Sequence, residues 1–594
     1  MKIQDYPGTY PSSAAAASTT KLSAPSQAPG ALGYSRPTLE PPGEIAGTEA
    51  SAGVSAALAE ELMADNPLTD RQTGMAIART DPRWTSDDVF GAFSIESFAG
   101  GVGGLTYTHE DAQGFIDFMG GTGPANFWFR DGSVQPWAYY ETYDNWQDTY
   151  GMDAVLAAYH SGHGSMDANG VFWAPLGAAW GSEGSWIRSD RMRLGNEQAN
   201  YIFWSTCLSC RVLDGHNPIR TWSAANLGFR MLFGFETVSW DSPNYGNFFK
   251  EEWRKGKSLS TAWLDASWRI AHDQAPSAVA CGASAAEAQD RLYNERFFNW
   301  NHVSTAYWWW RWYYASSSAR TVARRPNLML PSSLLGARLR PVPVNAQTVG
   351  SLVNRIGLDL RVPKSVAPQR GGSFLLWDGD AQLAVATDGS LDARFTQPNR
   401  ENRTEIGAQR AVALAKEFVR ELQLEQDVEV VLDRVRMAAD AGGQRDSDRV
   451  DGPFVTETTV QFKQVIDGIP VIAPGVGEVR VSIDNDGHIT SVHSSVRGVD
   501  RLHDLRPSAP GSPPAGPTGA ADYEQKLANA FGRRLAAWAL RGSIPLNFSV
   551  VPDSTEIGYS IEGSEARLVA QRAIEVDFGQ GLRKRYWITE PISE

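Results

Sequence analysis

Short apolar runs, each bounded by Gly or polar residues, dominate the chain from residue 89 to residue 240. Runs of this length are typical of buried strands. The pattern predicts strands at 89–98, 125–132, 154–160, 200–207 and 235–240. Helical periodicity predicts helices at 109–121, at 224–234 and, in two pieces separated near Gly256, at 248–272. Strands that alternate with helices favour a layered α/β domain with a mainly parallel sheet.

The pattern changes after residue 346, where polar and apolar residues alternate and Asp-Gly turns predict hairpins at 374–395 and 458–499. Amphipathic helices are predicted at 405–424 and 523–540. A helix followed by an antiparallel sheet therefore occurs twice. This repetition favours two related α+β units in tandem.

Two segments lack the apolar content of a packed core. Residues 1–80 are rich in Ala, Ser, Pro, Gly and Thr and are expected to form a mostly disordered leader with one short helix near 55–64. Residues 315–346 are rich in Pro, Ser and Arg and are expected to form a linker. The predicted domains are a leader at 1–80, an α/β domain at 86–314, a linker at 315–346 and α+β units at 347–505 and 520–594.

Composition narrows the class of protein. A length of 594 residues exceeds what one core supports. The net charge of −14 argues against nucleic acid or an anionic membrane as a partner, and no apolar run is long enough to cross a membrane. Three Cys make no disulfide framework. The 21 Trp indicate a large aromatic core, and the Trp-rich stretch 307–314 is expected to form a packing edge or an aromatic shelf.

Two of the predicted strands end in a reactive side chain. One runs into "SGHGS" (161–165), which contains His163, and the next ends in "STC" (205–207), which contains Cys207. Parallel strands place their carboxyl ends at the same edge of a sheet, with neighbours about 5 Å apart. An imidazole there can take the proton of a thiol, and the thiolate attacks carbonyl groups. Gly164 and the Cys207 N–H are then placed to donate hydrogen bonds to the developing oxyanion.

The same residues allow three other interpretations. His160 and His163 with Cys207 and Cys210 form H-x-x-H and C-x-x-C pairs that could bind zinc. The two Cys could instead form a redox pair, or the thiol and imidazole could be purely structural. Within the enzyme interpretation, Cys207 is favoured over Cys210 because it directly ends the apolar strand. His163 is favoured over His160 because Gly follows it.

The order of apolar strand, His-Gly, second apolar strand and small residue before Cys resembles the caspase-like cysteine peptidases (caspases, legumain, gingipain, clostripain and separase). The likeness is closest to a bacterial branch with "GHG" and "SAC" blocks. In that branch the Cys block is followed by Trp-Asp and a "G-x-S-x-x-x-A-W" helix. Here "LGFRMLFGFETVSWDS" (227–242) and "GKSLSTAW" (256–263) correspond, and the resemblance spans roughly 86–290.

This resemblance implies a caspase-like three-layer α/β/α sandwich in which Cys207 is the nucleophile, His163 the base and Gly164 an oxyanion donor, with no cofactor or metal. The Trp240–Asp241 loop would border the pocket for the residue before the scissile bond. Asp241 is either an acid that selects a basic residue or a cap of the following turn. The caspase block "Q-A-C-R-G" is absent, so Asp specificity is not implied.

The C-terminal half has its own likeness. The stretch 460–492 resembles the propeptide modules of thermolysin-like and fungalysin-like peptidases and the small pepsin-inhibitory repeats, which have a cystatin-like α+β fold. The likeness covers about 370–500 and, more weakly, 520–594. That resemblance implies an inhibitory or chaperoning role and fits an exported protein.

The combined expectation is a bacterial cysteine endopeptidase that acts on a peptide or protein substrate. Its C-terminal region would restrain the active site until the chain is processed, with the Arg-rich stretch 319–325 as the candidate cleavage site. The alternative is a non-catalytic caspase-like module that binds a peptide.

Overall fold

The computed structural model of the protein describes residues 66–71, 88–140, 144–316, 335–360, 373–422, 428–447, 449–504, 520–540 and 545–592. The predicted helix near 55–64 and the candidate cleavage stretch 319–325 lie outside the described residues. From the predicted leader the structure describes only 66–71, where Leu68 is fully buried and forms a bridge with Phe298.

The first half of the chain contains ten strands and six α-helices among the described residues. The strands are β1 (Phe90–Ser94), β2 (Phe127–Arg130), β3 (Ala157–Ser161), β4 (Ser165–Met166), β5 (Phe172–Pro175), β6 (Trp186–Arg188), β7 (Tyr201–Ser205), β8 (Met231–Phe235), β9 (Pro276–Gly282) and β10 (Tyr307–Ala315). The helices are α1 (Thr108–Met119), α2 (Asp144–Tyr150), α3 (Pro218–Trp222), α4 (Tyr245–Arg254), α5 (Leu259–Ile270) and α6 (Ala285–Asn294). The predicted pair of helices at 248–272 is confirmed as α4 and α5.

The first strands form the predicted parallel arrangement. β2, β1, β3, β7 and β8 lie side by side in this order, and every neighbouring pair among them runs parallel. β9 and then β10 extend the sheet in the antiparallel sense. The carboxyl ends of β3 and β7 are therefore neighbours at one edge of the sheet.

The helix predicted at 224–234 and the strand predicted at 235–240 are wrong. Met231–Phe235 form β8, every residue of which is buried, and the chain leaves the sheet after Phe235. A short, fully buried apolar run has no polar face, so its periodicity does not separate a strand from a helix. Pairing with β7 on one side and β9 on the other decides in favour of the strand.

Alternating side chains of the parallel strands fill two cores, one on each face of the sheet. Tyr159 and Phe203 point into the core that α1, α4 and α5 cover. Ile202 and Trp204 point into the opposite core, which is covered by α3 and the small antiparallel sheet β4–β5–β6.

The Trp-rich stretch 307–314 forms β10, an inner strand and not the expected packing edge. It pairs with β9 from Tyr307 to Trp312 and, along its whole length, with β15 (Glu429–Gln444) of the second half. We call this β10–β15 pairing the seam. Because the indoles of Trp308, Trp309, Trp310 and Trp312 are almost fully buried, the seam joins both halves through apolar packing as well as backbone hydrogen bonds.

Beyond the seam the sheet is antiparallel. Its further strands are β12 (Phe374–Asp378), β13 (Ala381–Val385), β14 (Leu391–Arg394), β16 (Val450–Ile466), β17 (Ile469–Pro470), β18 (Glu478–Asp484) and β19 (Ile489–Ser494). A separate sheet contains β11 (Leu335–Leu339), β20 (Val499–Asp504), β21 (Asn547–Val550), β22 (Glu556–Glu562), β23 (Glu565–Gly579) and β24 (Leu582–Pro591). The helices are α7 (Ala346–Ile356), α8 (Ala408–Glu421) and α9 (Ala520–Leu540). The hairpins predicted at 374–395 and 458–499 correspond to β12–β13–β14 and β16–β18–β19.

The last part of the chain builds the separate antiparallel sheet, in the order β20-β11-β23-β21, with β22 and β24 also paired to β23. β11 lies at the end of the segment expected to be a linker. We call β23 and β24 the C-terminal hairpin, whose turn contains Gln580 and Gly581, both at positive φ. α9 packs on this hairpin through Trp538, against Phe578 and Tyr586.

The chain is thus a mixed α/β protein with one large mixed sheet, parallel in its N-terminal strands, and further antiparallel sheets. Among the described residues, no helix combines the length and the apolar character that crossing a membrane requires.

A substitution at Gly442 tests how much the packing at the seam contributes to stability. Gly442 lies in β15 opposite Trp309, and a Cβ there would stand 1.8 Å from a ring carbon of that indole. We expect Gly442→Ala to lower the free energy of unfolding in urea by roughly 1–3 kcal/mol, because the indole must move or the pairing must open. Gly350→Ala on α7, where nothing lies within 4 Å, is the control and should be neutral or slightly stabilising. Equal effects of the two substitutions would contradict this account.

Candidate active site

The loops after β3 and β7 lie against each other. Ser161 is in register with Ser205, and the Gly162 N–H donates to the Ser205 carbonyl at 3.4 Å. A Cβ on Gly164 would stand 2.6 Å from the Cys207 carbonyl oxygen. Only glycine therefore fits there without a shift of the backbone, and this close approach brings the predicted "GHG" and "STC" blocks together.

His163 is held in one tautomer. Its Nε2 lies 2.9 Å from the carbonyl oxygen of Gly103, which can only accept a hydrogen bond, so Nε2 carries the proton. Its Nδ1 is buried and has no hydrogen-bond partner. Burial first, and then the charge of Lys584, lowers the pKa of His163 to about 3, so the ring is neutral and Nδ1 offers a free lone pair.

His160 has different surroundings. Its Nδ1 lies 2.8 Å from the hydroxyl oxygen of Tyr139, and its ring packs on Trp204 with centroids 4.8 Å apart. Burial, and then Lys584, lowers its pKa to about 3. The structure therefore places His160 in an aromatic core and His163 at the edge of the sheet.

Cys207 is 1 % exposed and turns its thiol toward the C-terminal hairpin. Its Sγ donates to the Arg583 carbonyl oxygen at 3.0 Å and accepts the Ser239 N–H at 3.3 Å. Neither the Cys207 N–H nor the Gly164 N–H has a hydrogen-bond acceptor among the described residues. Both donors remain available for an oxyanion.

The other two thiols lie in the interior. Cys210 is fully buried, and burial raises the pKa of its thiol well above the ordinary range. Cys281 in β9 accepts a hydrogen bond from the Asn226 side chain at 3.2 Å, and burial raises its pKa too. Thiols that resist ionisation are poor nucleophiles, which distinguishes them from a reactive cysteine.

A buried carboxylate holds the loop that follows Cys207. Glu236, just after β8, accepts hydrogen bonds from the N–H groups of Val212 and Leu213, the second at 3.3 Å. Burial raises its pKa to about 7, and Arg211 nearby opposes that increase. Glu236 therefore ties the Cys207 loop to the end of β8.

Trp240 and Asp241 lie on the loop after β8, as the resemblance implies. Trp240 stacks on Trp587 of the hairpin, with centroids 4.5 Å apart, and donates its indole N–H to Asp273 at 2.8 Å. The Asp241 carboxylate accepts the N–H of Thr106 at 2.8 Å and of Tyr107 at 3.3 Å. It thus fastens the segment before α1 and does not cap the turn that follows it.

The C-terminal hairpin covers this whole arrangement. Phe578 packs on the His163 ring with centroids 4.8 Å apart. The hairpin also forms a parallel bridge with Trp240, in which Arg585 donates to the Ser239 carbonyl at 3.4 Å and accepts from the Asp241 N–H at 3.0 Å. The chain therefore adds a strand of its own to the loop that borders Cys207.

Lys584 is the charged group that the hairpin inserts. It is 3 % exposed, and its Nζ donates to the Ser239 hydroxyl at 2.9 Å, which in turn lies 3.4 Å from the Cys207 Sγ. Burial raises the pKa of Asp241, and the positive charge of Lys584 opposes that increase. Lys584 is therefore electrostatically coupled to both Asp241 and His163.

Residues 92–314 match the family model of a domain of unknown function (DUF6345). No curated protein matches the chain. The DUF6345 region begins in β1 and ends in β10, so it contains His163, Cys207, Trp240 and Asp241 but not the C-terminal hairpin. The match identifies neither a caspase-like nor a propeptide family.

His160, His163, Cys207 and Cys210, the residues of the zinc alternative, do not form a cluster of metal ligands. Within the described ranges, the one group of three or more metal-type side chains that lie close together is Asp484, Asp486 and His488, at the β18–β19 turn. His160 and Cys210 instead point into the core between the DUF6345 strands and the small sheet.

Sequence reasoning missed Ser239, Phe578, Arg583 and Lys584. The Cys207–Arg583 contact joins positions 376 residues apart, and no local pattern signals it. The basic run "RKR" (583–585) in an otherwise alternating strand was the available hint, because a strand facing a core seldom buries Lys.

We expect low pH to destabilise the fold, because unfolding lets the buried imidazole of His160 take up a proton. The unfolded imidazole titrates near 6.5 and the folded one near 3, so its stabilising contribution is complete above pH 6.5 and is lost as the pH falls toward 3. We expect the free energy of unfolding of His160→Gln to fall less steeply than wild type between pH 6 and 4, by up to ~1.4 kcal/mol per pH unit. Urea titrations across that range measure the slopes. The exposed His302→Gln variant should keep the wild-type slope, and a His160→Gln slope equal to it would be evidence against this assignment.

Proposed function

We propose that this protein is a cysteine-type peptidase whose Cys207–His163 pair is held closed by its own C-terminal hairpin. The observation that carries the proposal is the contact of a hairpin carbonyl, that of Arg583, with the Cys207 thiol at 3.0 Å. The same segment pairs with the 239–241 loop as an added strand. A peptide backbone that adds a strand beside a candidate nucleophile is the way extended peptides commonly bind.

The tautomer of His163 supports its role as the base. With Nε2–H bonded to Gly103, the ring keeps an unpartnered Nδ1 in a dry site. In the closed structure Nδ1 makes no hydrogen bond to the Cys207 Sγ, which contacts Ser239 and Arg583 instead. In the proposed reaction the thiol turns from Arg583 to His163, and Nδ1 takes its proton as Sγ attacks the substrate carbonyl carbon. The imidazolium returns that proton to the leaving amine, and water then hydrolyses the acyl-enzyme. The free N–H groups of Gly164 and Cys207 would receive the oxyanion.

The hairpin is bound unproductively. A thiol attacks a carbonyl at its carbon, with the oxygen directed toward the oxyanion donors. Here the oxygen of Arg583 itself accepts the thiol hydrogen, so the peptide group presents the wrong atom. This geometry suits an inhibitor that occupies the groove without being cleaved, in agreement with the propeptide-like role expected for the C-terminal half.

The side chain in the groove indicates the preferred substrate. Lys584 buries a positive charge beside Ser239, where Asp241 supplies a compensating negative potential. A buried cation is tolerated only where the site provides such compensation. The proposed substrates are therefore peptides with Lys or Arg next to the bond that is cut.

A caspase-like sandwich accommodates these parts, with His163 and Cys207 at the carboxyl ends of neighbouring parallel strands. The alternative, a non-catalytic module, would use the same groove only to hold a peptide. Its supporting observation is the aromatic stacking of Trp240 on Trp587, which holds the hairpin without chemistry. Labelling of the thiol separates the two functions.

We expect an electrophilic peptide probe ending in Lys to label Lys584→Ala faster than wild type, by roughly 10- to 100-fold. The variant loses a buried charge and a charge-assisted hydrogen bond of the closed state, and the competent fraction sets the apparent reactivity. Labelling should vanish in Lys584→Ala/Cys207→Ala and persist in Lys584→Ala/Cys210→Ala, as read by intact mass. Arg567→Ala, an exposed change on the same hairpin, is the control and should behave as wild type. No labelling in any variant supports the binding module.

The Asp241–Lys584 environment predicts the preference of the opened site. In Lys584→Ala, a probe ending in Lys or Arg should react about tenfold or more faster than a matched probe ending in Asp, because Asp would place two carboxylates in one buried site. Competition between the two probes, followed by mass spectrometry, measures the ratio. Equal rates, or a preference for Asp, would remove the assignment of a basic substrate while leaving the peptidase assignment intact.

A further inference from the structure

A polar cavity of about 120 Å³ lies at the seam and shares no lining residue with the candidate active site. The first half contributes Lys255 and Lys257, from the connection between α4 and α5. The second half contributes strands β14, β16, β18 and β19 and the segment 396–400. The cavity is therefore formed only where the two halves meet.

Positive charge dominates its walls. Seven Lys or Arg side chains and three carboxylates line it. Five of these cations have carboxylate partners: Lys255 with Glu252 and Asp392, Lys257 with Glu252, Asp265 and Asp392, Arg311 with Asp440 and Glu457, Arg436 with Asp265, and Arg480 with Glu478. These pairs involve six carboxylates for five cations, and the two remaining cations make no ion pair.

Arg394 and Arg400 are those two cations. Within the described part of the chain, no carboxylate lies within 4.0 Å of either guanidinium. Arg394 donates to the backbone carbonyl of Asp380 at 2.9 Å, and Arg400 lies over the Tyr293 ring, 3.8 Å from its centroid. Burial lowers the pKa of both, and the more distant carboxylates, Asp380 for Arg394 and Asp440 and Glu457 for Arg400, oppose that decrease without reversing it.

Several donors that line the cavity have no acceptor. Arg480 and Arg436 are each 4 % exposed, yet Nη2 of Arg480 and Nε of Arg436 make no hydrogen bond. Nε of Arg400 is unpartnered as well. Each buried donor left unpaired costs about 1–3 kcal/mol. Unpaired donors beside an excess of positive charge match an anion with several acceptor oxygens.

We propose that this cavity binds a phosphate group, either as the free anion or as part of a small phosphorylated molecule. A phosphate offers acceptors for the unpaired donors of Arg400 and Arg480, and a negative charge for Arg394 and Arg400, which make no ion pair, in strong charge-assisted hydrogen bonds. The volume is several times the roughly 10–15 Å³ that one buried water requires, so a group of this size has room. Because both halves line the cavity, the bound anion would tie them together across the seam.

Isothermal titration of the full chain with inorganic phosphate and with pyrophosphate, at constant ionic strength, tests the proposal. We expect saturable binding of at least one anion, weakened about tenfold or more in Arg400→Gln and in Arg394→Gln through loss of charged hydrogen bonds. Arg420→Gln on α8, where the side chain is 76 % exposed, is the control and should bind as wild type. Phosphate that binds as tightly as pyrophosphate indicates the free anion, and a preference for pyrophosphate indicates a phosphorylated molecule.

Absence of saturable binding to wild type, or equal affinity in Arg400→Gln, would overturn the phosphate site. Melting temperatures in anion-free buffer separate binding from folding. If Arg400 awaits a ligand, Arg400→Gln melts no lower than wild type, because the charge that is removed is partly desolvated and makes no ion pair. A variant that melts well below wild type would make Arg400 a structural cation and would also count against the proposal. None of these outcomes depends on the peptidase assignment.

Discussion

The pairing of β10 with β15 is the interaction on which the rest of the molecule depends. It continues the sheet of the DUF6345 region into the antiparallel strands of the second half, so that the two halves share backbone hydrogen bonds and Trp-rich packing. A sheet edge left open in either half would expose unpaired backbone groups, and the seam satisfies both edges at once. With the halves joined in this way, the C-terminal hairpin lies over the candidate active site and the charged cavity closes between them.

The candidate site is closed to water. His163 and Cys207 are almost fully buried under Phe578 and the 583–585 strand. In that dry environment a neutral imidazole with one free nitrogen and a thiol bonded to a carbonyl form a stable, inactive arrangement. In the proposed function, removal of the hairpin exposes these groups to a substrate, and the N–H groups of Gly164 and Cys207 serve as the oxyanion donors. The contacts that close the site would then be the ones that a substrate replaces.

Charge is distributed unequally between the two buried polar sites. At the candidate active site, one inserted cation, Lys584, is compensated by Asp241 within the molecule. At the seam cavity, Arg394 and Arg400 make no ion pair among the described residues, although Asp380 lies near the first and Asp440 and Glu457 lie near the second. In our proposals, the first site is occupied by the chain itself and the second binds a small anion.

The sequence by itself indicated the strands β1, β2, β3 and β7, the two helices α4 and α5, the hairpins of the second half, and the meeting of "GHG" with "STC", because each follows from local periodicity and from the geometry of neighbouring parallel strands. It did not determine that Met231–Phe235 is a strand or that the Trp-rich stretch lies inside the sheet, since a fully apolar run fits either element and only its pairing partners decide. Nor did it indicate that Arg583 and Lys584 reach Cys207 and Ser239. That contact joins residues more than three hundred positions apart, so it exists only because the seam brings the two halves of the chain together.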